Sequence, residues 1–269
     1  WSPDSKRIAF WQVNADGTKD FMMIDNTSGI YSKPIPVEYP KVGEAPSAVR
    51  IGVIDLVTGK KTWMSVPGDQ RQHYIPRMEW AGNEEVIIQQ LNRKQNESRL
   101  YMANAGSGKG YFIHTEKDAA WIDILPSIDD DYSYGGWDWL DGGKSFLWVS
   151  EQDGWRHLYR MSRNGKESIL LTEGNFDVIE IAAVKEKEGY VYYYASPDNA
   201  TQKYLFRSKL DGNALPERIT PLAQPGTHQY DISPAADLAF HSFSNHKVQW
   251  TTEAIRLSTH LDAAGCWKK

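Results

Sequence analysis

A pattern of five repeating units constrains this sequence more than any other feature. Each unit opens with a turn rich in Pro, Asp, Gly or Asn and continues into a short run in which apolar and polar residues alternate. The openings lie at residues 1–10, 80–88, 139–148, 182–192 and 232–240. Polar turns between short β-rich runs are typical of antiparallel hairpins. The repeat therefore predicts an all-β chain.

The first four units continue into a second pair of strands, which a glycine-containing turn joins. One unit then supplies about four antiparallel strands, and this is the make-up of a β-propeller blade. The last two units have the roughly 40–50 residues that a blade needs. No stretch of roughly 11–18 residues has the periodicity of an amphipathic helix. We therefore expect strand-rich blades throughout the chain.

The first unit is longer than the others because it carries an insertion at residues 17–46. This segment is rich in Pro, Tyr and Gly and has no clear periodicity. A connection of this length in a compact domain is usually a functional loop or arm. An excursion without a function is the alternative.

The ends of the sequence do not coincide with the ends of the repeat. The chain starts inside a unit, and only an incomplete module, residues 248–257, follows the last opening. A propeller normally closes on itself, because open sheet edges invite aggregation. We therefore expect about five blades or part-blades of a longer ring in residues 1–250. We expect an irregular end at residues 251–269.

Composition excludes several functional classes. The net charge of −5 and the isoelectric point near 5.8 provide no basic surface, so no nucleic-acid partner is expected. No apolar run approaches the roughly 18 residues that a membrane span needs. The one cysteine, Cys266, excludes an internal disulfide framework. The 12% aromatic content favours strands.

Residues that could carry chemistry do not form a recognisable catalytic or metal motif. A serine hydrolase of the α/β type needs a G-x-S-x-G elbow, and the chain has none. His157 has no second ligand at a suitable spacing for a metal site. The acidic run at residues 129–131 lacks the alternation of a calcium loop, so a solvated loop is the favoured interpretation over a metal or amine site. We therefore predict no catalytic residue, no metal and no cofactor in this chain.

Several charged and aromatic residues lie in distinctive motifs but are better explained by packing. Glu44, Arg93, Arg156 and His157 are charged residues inside a repeat, where such side chains usually bond backbone and turn groups. The strand at residues 190–194 has four tyrosines and lacks the accompanying basic residues that stacking on nucleic acid would need. We expect it to lie in the core.

An ordered set of motifs gives the chain a family resemblance. The motifs are at residues 1–10, 39–44 leading into 49–53, 74–80, 91–96, 115–121 and 150–159. The Tyr-Pro-Lys-x-Gly and Asp-Gly-Trp-Arg-His-Leu-Tyr elements are the most specific. Together they resemble the N-terminal β-propeller domain of the dipeptidyl peptidase IV group, and the similarity runs from residue 1 to about 250.

The resemblance implies a part of a serine exopeptidase that releases X-Pro or X-Ala dipeptides from peptide substrates. In that family an eight-bladed propeller caps an α/β-hydrolase domain that carries the nucleophile and follows the propeller. A pair of glutamates that grips the substrate amine lies just upstream of where this chain begins. The chain would then be a non-catalytic segment that gates substrate access, in a bacterial periplasmic or other extracytoplasmic enzyme. An arm of the first blade serves dimerisation in the family, so residues 17–46 would support a homodimer.

The resemblance also supplies two candidate substrate-binding residues. The loop at residues 121–134 matches a family segment that faces the catalytic cavity, which makes Trp121 and Asp123 candidates. The sequence lacks the arginine of the Phe-Arg pair found there in one relative, and ordinary loop packing is the alternative. The competing hypothesis for the whole chain is a free-standing propeller that binds proteins or glycans and has no peptidase activity.

Overall fold

The structure of the chain, a computed structural model, describes residues 1–124 and 137–260. The chain divides into two compact units, Trp1–Ile122 and Asp123–Lys269. Within the described residues the strands form five antiparallel sheets and one separate hairpin, with two short 3-10 turns and no α-helix. No helix of this part of the chain is long and apolar enough to cross a bilayer.

The first unit contains two of the sheets, blades 1 and 2, and the separate hairpin. Blade 1 consists of β1 (Arg7–Asn14), β4 (Ala48–Asp55) and β5 (Lys61–Trp63). Blade 2 consists of β6 (His73–Trp80), β7 (Glu85–Asn92), β8 (Glu97–Asn104) and β9 (Gly110–Lys117). The hairpin, which with its flanks we call the arm (residues 17–46), consists of β2 (Asp20–Asp25) and β3 (Lys33–Glu38).

The second unit contains blades 3, 4 and 5. Blade 3 consists of β10 (Trp139–Leu140), β11 (Ser145–Ser150), β12 (His157–Ser162) and β13 (Ser168–Leu170). Blade 4 consists of β14 (Val178–Lys185), β15 (Tyr190–Ala195), β16 (Tyr204–Lys209) and β17 (Glu217–Arg218). Blade 5 consists of β18 (Thr227–Ile232), β19 (Leu238–Ser244) and β20 (Thr251–Arg256).

Strand order within each blade follows the chain, so each blade is an up-and-down meander. The exception is blade 1, where β1 pairs directly with β4 from Arg7↔Asp55 to Asn14↔Ala48 because the arm is inserted between them. Three sheets have four antiparallel strands, as the repeat predicts. The all-β fold built from propeller-type blades is therefore confirmed.

Apolar side chains fill the space between consecutive blades of each unit. In the first unit Ile51 and Val53 of β4 belong to one buried cluster with Val86 and Ile88 of β7. Each fully buried side chain of this size contributes about 1.5–3 kcal/mol. The cluster explains why these strands are apolar at alternate positions.

The tyrosine-rich strand β15 lies between two such clusters. Tyr193 packs with residues of blade 3, including Leu147, and stacks on Phe206 with ring centroids 6.0 Å apart. Tyr194 points to the other face, where it packs near Tyr230 of blade 5. Because both faces of β15 are covered, the strand is apolar at successive positions. The expectation that it lies in the core is confirmed.

The end of the chain is more regular than the sequence suggests. We expected an irregular segment at residues 251–269, but β20 occupies Thr251–Arg256 and a 3-10 turn occupies Leu257–Thr259. Strand β20 forms because it pairs with β19 from Phe243↔Thr251 to Leu238↔Arg256. Residues 261–269 lie outside the described part of the chain.

Candidate functional site

The arm carries the largest set of exposed apolar side chains in the compact unit Trp1–Ile122. Strands β2 and β3 pair in register, so that Met23 faces Ile35 on one side of the hairpin and Met22 faces Pro36 on the other. Both sides are apolar and exposed; the exposed fraction reaches 68% at Ile24. Apolar surface of this kind, displayed on a hairpin, marks an interaction site.

The free edge of β3, one of the two edges of the arm, is closed to a further strand. Pro34 and Pro36 of β3 lie two residues apart and have no backbone N–H to donate. Proline is tolerated on an edge strand where its nitrogen faces away from the ladder, and it blunts that edge. The arm therefore offers its side chains to a partner, while strand addition at β3 is blocked.

The base of the arm is held by an arginine of the segment that precedes β6. The guanidinium of Arg71 donates to the carbonyl of Pro46 at 3.0 Å and to that of Asp16 at 2.7 Å. These carbonyls lie at the two ends of the arm, so one side chain ties both ends together. The hydroxyls of Thr18 and Ser47 add a contact of 3.3 Å across the same base.

A second arginine holds the returning segment of the arm. Arg93 donates to the backbone carbonyl of Glu44 at 3.1 Å and to the hydroxyl of Tyr74. The carboxylate of Glu44 accepts from Lys19 at 2.7 Å, and this hydrogen bond holds the pKa of Glu44 below its usual range. The expectation that Arg93 and Glu44 bond neighbouring turn and backbone groups is confirmed.

A cleft of about 210 Å³ is lined by blade 2 and the segment that precedes it, and its lining includes His73, Gln90 and Arg99. The amide of Gln90 donates to the carbonyl of Pro67 at 2.7 Å and lies 2.9 Å from Nδ1 of His73. The other ring nitrogen of His73 lies 3.4 Å from the carbonyl of Val49. Since these buried groups bond one another, they support the fold of blade 2.

His157 in blade 3 also has the structural role expected of it. Its Nδ1 lies 2.8 Å from the carboxylate of Asp153, and its ring meets Phe176 edge-on with centroids 5.8 Å apart. The backbone N–H of the preceding Arg156 donates to Asp177 at 2.8 Å. The motif thus fixes the start of β12.

The two candidate substrate-binding residues stand at the end of the first described range. The indole of Trp121 is largely exposed, and Asp123 is exposed as well. The backbone of this segment contacts the β7–β8 turn: the N–H of Ile122 donates to the carbonyl of Gln95 at 2.8 Å. The acidic run at residues 129–131 lies outside the described residues. A substrate-binding role for Trp121 and Asp123 stays a prediction.

Sequence reasoning missed a cluster of titratable groups in blade 5. His241, Glu253 and His260 each place one potential ligand atom within 4.8 Å of the others. Their sequence spacing matches no metal motif. The signal that finds them is strand register, because His241 lies directly opposite Glu253.

Comparison with known proteins identifies the relatives of the chain. The family described as the dipeptidyl peptidase IV (DPP IV) N-terminal region matches residues 1–250. A probable dipeptidyl peptidase 4 of Emericella nidulans is 29% identical over 222 residues, which cover 77% of this chain and 28% of that protein. An inactive dipeptidyl peptidase 10 of Mus musculus is 26% identical over 223 residues, which cover 79% of this chain and 27% of that protein.

A solved structure has the same fold. The dipeptidyl peptidase 4 of Porphyromonas gingivalis superposes with a TM-score of 0.81 and 22% sequence identity, over 100% of this chain and 36% of that one. At this identity the likeness shows the fold alone. The chain spans less than a third of the length of the two curated relatives above.

Proposed function

Since the chain belongs to the family of dipeptidyl peptidase IV N-terminal regions, we propose that it is the non-catalytic propeller segment of a serine exopeptidase. In this role it limits access to the catalytic cavity and forms a homodimer through the arm. The substrates are peptides with Pro or Ala at the second position, and the enzyme works in the bacterial periplasm or another extracytoplasmic compartment. Trp121 and Asp123 contribute to the substrate cavity.

The observation that carries the dimer proposal is the contrast between the surface and the base of the arm. Apolar side chains such as Met22 and Ile24 are exposed on the hairpin, while Arg71 and Arg93 hold its base in place. An arm that is braced in this way is preorganised, so that binding a partner requires little further ordering. The prolines of β3 block strand addition at that edge and leave the apolar faces of the hairpin available to the partner.

The gating role rests on the family and on the blade architecture. A ring of blades in front of a catalytic cavity admits short, unfolded peptides and excludes folded proteins by size. Specificity then comes partly from rejecting unsuitable substrates, in addition to the contacts made with suitable ones.

The dimer proposal is tested by replacing residues 15–47 with an Asn-Gly turn, which joins Asn14 to Ala48 by a two-residue hairpin loop. Sedimentation velocity should show a dimer for the unaltered chain and a monomer for the variant. Circular dichroism of both proteins establishes that the blades remain folded. Identical masses for the two proteins would refute the role of the arm.

The runner-up function is a propeller that binds partners and has no peptidase activity. One observation favours it: the mouse relative is named an inactive dipeptidyl peptidase. The sequence of the gene that encodes this chain distinguishes the two hypotheses. A G-x-S-x-G elbow encoded downstream, together with cleavage of a chromogenic Gly-Pro substrate by the full-length product, supports the peptidase. A stop codon in place of that region supports the binding protein.

A further inference from the structure

Blade 5 gathers three histidines around one tyrosine. Strand pairing sets Tyr230 opposite His241 and His241 opposite Glu253, and opposite side chains of an antiparallel pair lie about 4.5–5.5 Å apart. The ring of His260 meets that of His241 edge-on with centroids 4.7 Å apart. His228, His241 and His260 are buried, while the Glu253 side chain is 31% exposed. The cluster is therefore closed by protein on the histidine side and reachable from solvent at the carboxylate.

Hydrogen-bond polarity can be followed along this cluster. Nε2 of His228 lies 2.9 Å from the backbone carbonyl of Gln224, which can only accept, so Nε2 carries the proton. In the neutral ring with its proton on Nε2, Nδ1 is an acceptor. That acceptor lies 2.8 Å from Nε2 of His241, which must then donate.

The last contact of the series is the unusual one. When Nε2 of His241 donates to His228, the neutral His241 ring presents the lone pair of Nδ1 to Glu253. Nδ1 lies 3.0 Å from a carboxylate oxygen of Glu253, which carries lone pairs of its own when ionised. Two acceptors at this distance repel each other unless a positive species lies between them.

Three side chains converge on this place. His241, Glu253 and His260 each offer one ligand atom, and the three atoms lie within 4.8 Å of one another. Around a tetrahedral zinc ion with bonds of about 2.1 Å, the ligand atoms lie about 3.4 Å apart. The three atoms therefore lie at most about 1.4 Å farther apart than a zinc ion requires.

We propose that His241, Glu253 and His260 bind a divalent transition-metal ion of the zinc type. Imidazole nitrogen and carboxylate oxygen are the ligands that zinc accepts, and two histidines with one glutamate form a known ligand set. The surrounding groups fit the same role. His228 accepts from the outer nitrogen of His241, and the hydroxyl of Tyr230 lies 3.0 Å from Nε2 of His260. Such outer partners orient the rings of metal-bound histidines.

The ion would join β19 and β20 to the segment that follows the last 3-10 turn. Three protein ligands leave a fourth position for water, and the exposed side of Glu253 provides the path of entry. Because the ligands are brought together only in the folded blade, an ion that binds there stabilises the folded state.

The proposal is tested on the full chain, purified without a polyhistidine tag and treated with a chelator. Titration with Co²⁺ should give the visible absorption of a four-coordinate ion and saturate at about one ion per chain. Zn²⁺ should displace Co²⁺ and raise the melting temperature. No Co²⁺ absorption and no change in melting with Zn²⁺ would overturn the proposal, and a shared proton would then occupy the contact between His241 and Glu253.

Three variants locate the ion. Glu253→Gln removes the charge, but its amide can donate to Nδ1 of His241, so the blade should stay folded while affinity falls by more than about 100-fold. His260→Ala should also abolish the Co²⁺ absorption. The control is His246→Ala, since His246 is exposed in the same blade and should leave binding unchanged. Binding that survives Glu253→Gln and His260→Ala, or is lost in His246→Ala, would place the ion elsewhere and refute the site.

Discussion

The arm and the centre of blade 4 are both antiparallel pairs of six-residue strands. The pair in blade 4 is buried, whereas the pair in the arm is exposed to solvent. In β15 and β16 the side chain of Tyr193 is 0% exposed, because a hydrophobic cluster covers each face of the strand. In β2 and β3 the side chain of Ile24 is 68% exposed, and both faces of the hairpin carry apolar residues. The two pairs have similar local geometry. What differs is whether a neighbouring sheet covers them.

This contrast separates two uses of apolar residues. In blade 4 they stabilise the folded chain, whereas on the arm they contribute little to folding and are available to a partner. Edge protection differs in the same way: β15 is flanked by β14 and β16, while β3 is protected by Pro34 and Pro36. Variants of blade 4 should therefore lower the free energy of unfolding, whereas variants of the arm should leave that free energy nearly unchanged.

The largest effect is expected for Tyr193→Ala. This change removes a fully buried ring that stacks on Phe206 and bonds the hydroxyl of Ser208 at 3.2 Å. The cavity and the lost burial should reduce the free energy of unfolding by about 3–5 kcal/mol. Urea denaturation followed by tryptophan fluorescence measures the loss.

The matched variant on the arm is Phe21→Ala, which removes an aromatic ring of similar size. Phe21 is partly exposed and packs mainly against Tyr39, with ring centroids 6.2 Å apart. Its removal should change the free energy of unfolding by less than about 0.5 kcal/mol, when measured at a concentration where the chain is monomeric. Equal losses for Tyr193→Ala and Phe21→Ala would contradict the distinction between the two regions.

The sequence predicts the blades well because their signal is local. Turn residues and alternating apolar positions repeat in every unit, and the apolar run of β15 indicates burial on both faces. The arm is predicted as an insertion, but the register of β2 with β3 is invisible in a segment without periodicity. Its bracing by Arg71 also depends on contacts between residues far apart in the chain.

The cluster in blade 5 could not be predicted for a related reason. His241 and Glu253 become neighbours only once the β19–β20 register is fixed, and His260 joins them through the turn that follows. The sequence predicts an irregular segment there, and such a segment offers no register from which to place Glu253 or His260. Trp121 and Asp123 were identified by family resemblance, and their role still rests on that resemblance.

A medium effect, confined to the arm, is expected for Arg71→Ala. The variant leaves the carbonyls of Asp16 and Pro46 without their charged donor, so the arm should open more often while the blades stay folded. A loss of about 1.4 kcal/mol in local stability corresponds to a tenfold change in the open population. Chymotrypsin should therefore cut at Phe21 or Tyr31 about tenfold faster.

The control for this change is Arg99→Ala. Arg99 lies on β8 of blade 2, pairs with Glu97 on its own strand and makes no described contact with the arm. Its removal should leave the rate of cleavage in the arm unchanged. If Arg99→Ala accelerates cleavage as much as Arg71→Ala does, the bracing of the arm is not specific to Arg71.

The smallest effect is a pH dependence of stability that arises from His73, where blade 2 meets the strand that follows the arm. His73 lies under the strand that returns from the arm, with Nε2 at 3.4 Å from the carbonyl of Val49 and Nδ1 beside the amide of Gln90. Burial lowers the pKa of His73 below its usual value near 6.5. The unfolded chain therefore takes up a proton at this position at a higher pH than the folded chain does.

Because the folded pKa is the lower one, the stabilising contribution of neutral His73 is complete above about pH 6.5 and is lost as the pH falls below that value. His73→Gln has no such titration, so its urea midpoint should fall less than that of the unaltered chain between pH 7.5 and pH 5. His246→Gln, at an exposed position, should fall as much as the unaltered chain. If His73→Gln loses as much stability as the unaltered chain over this range, then His73 does not couple the packed blade to the base of the arm through its neutral form.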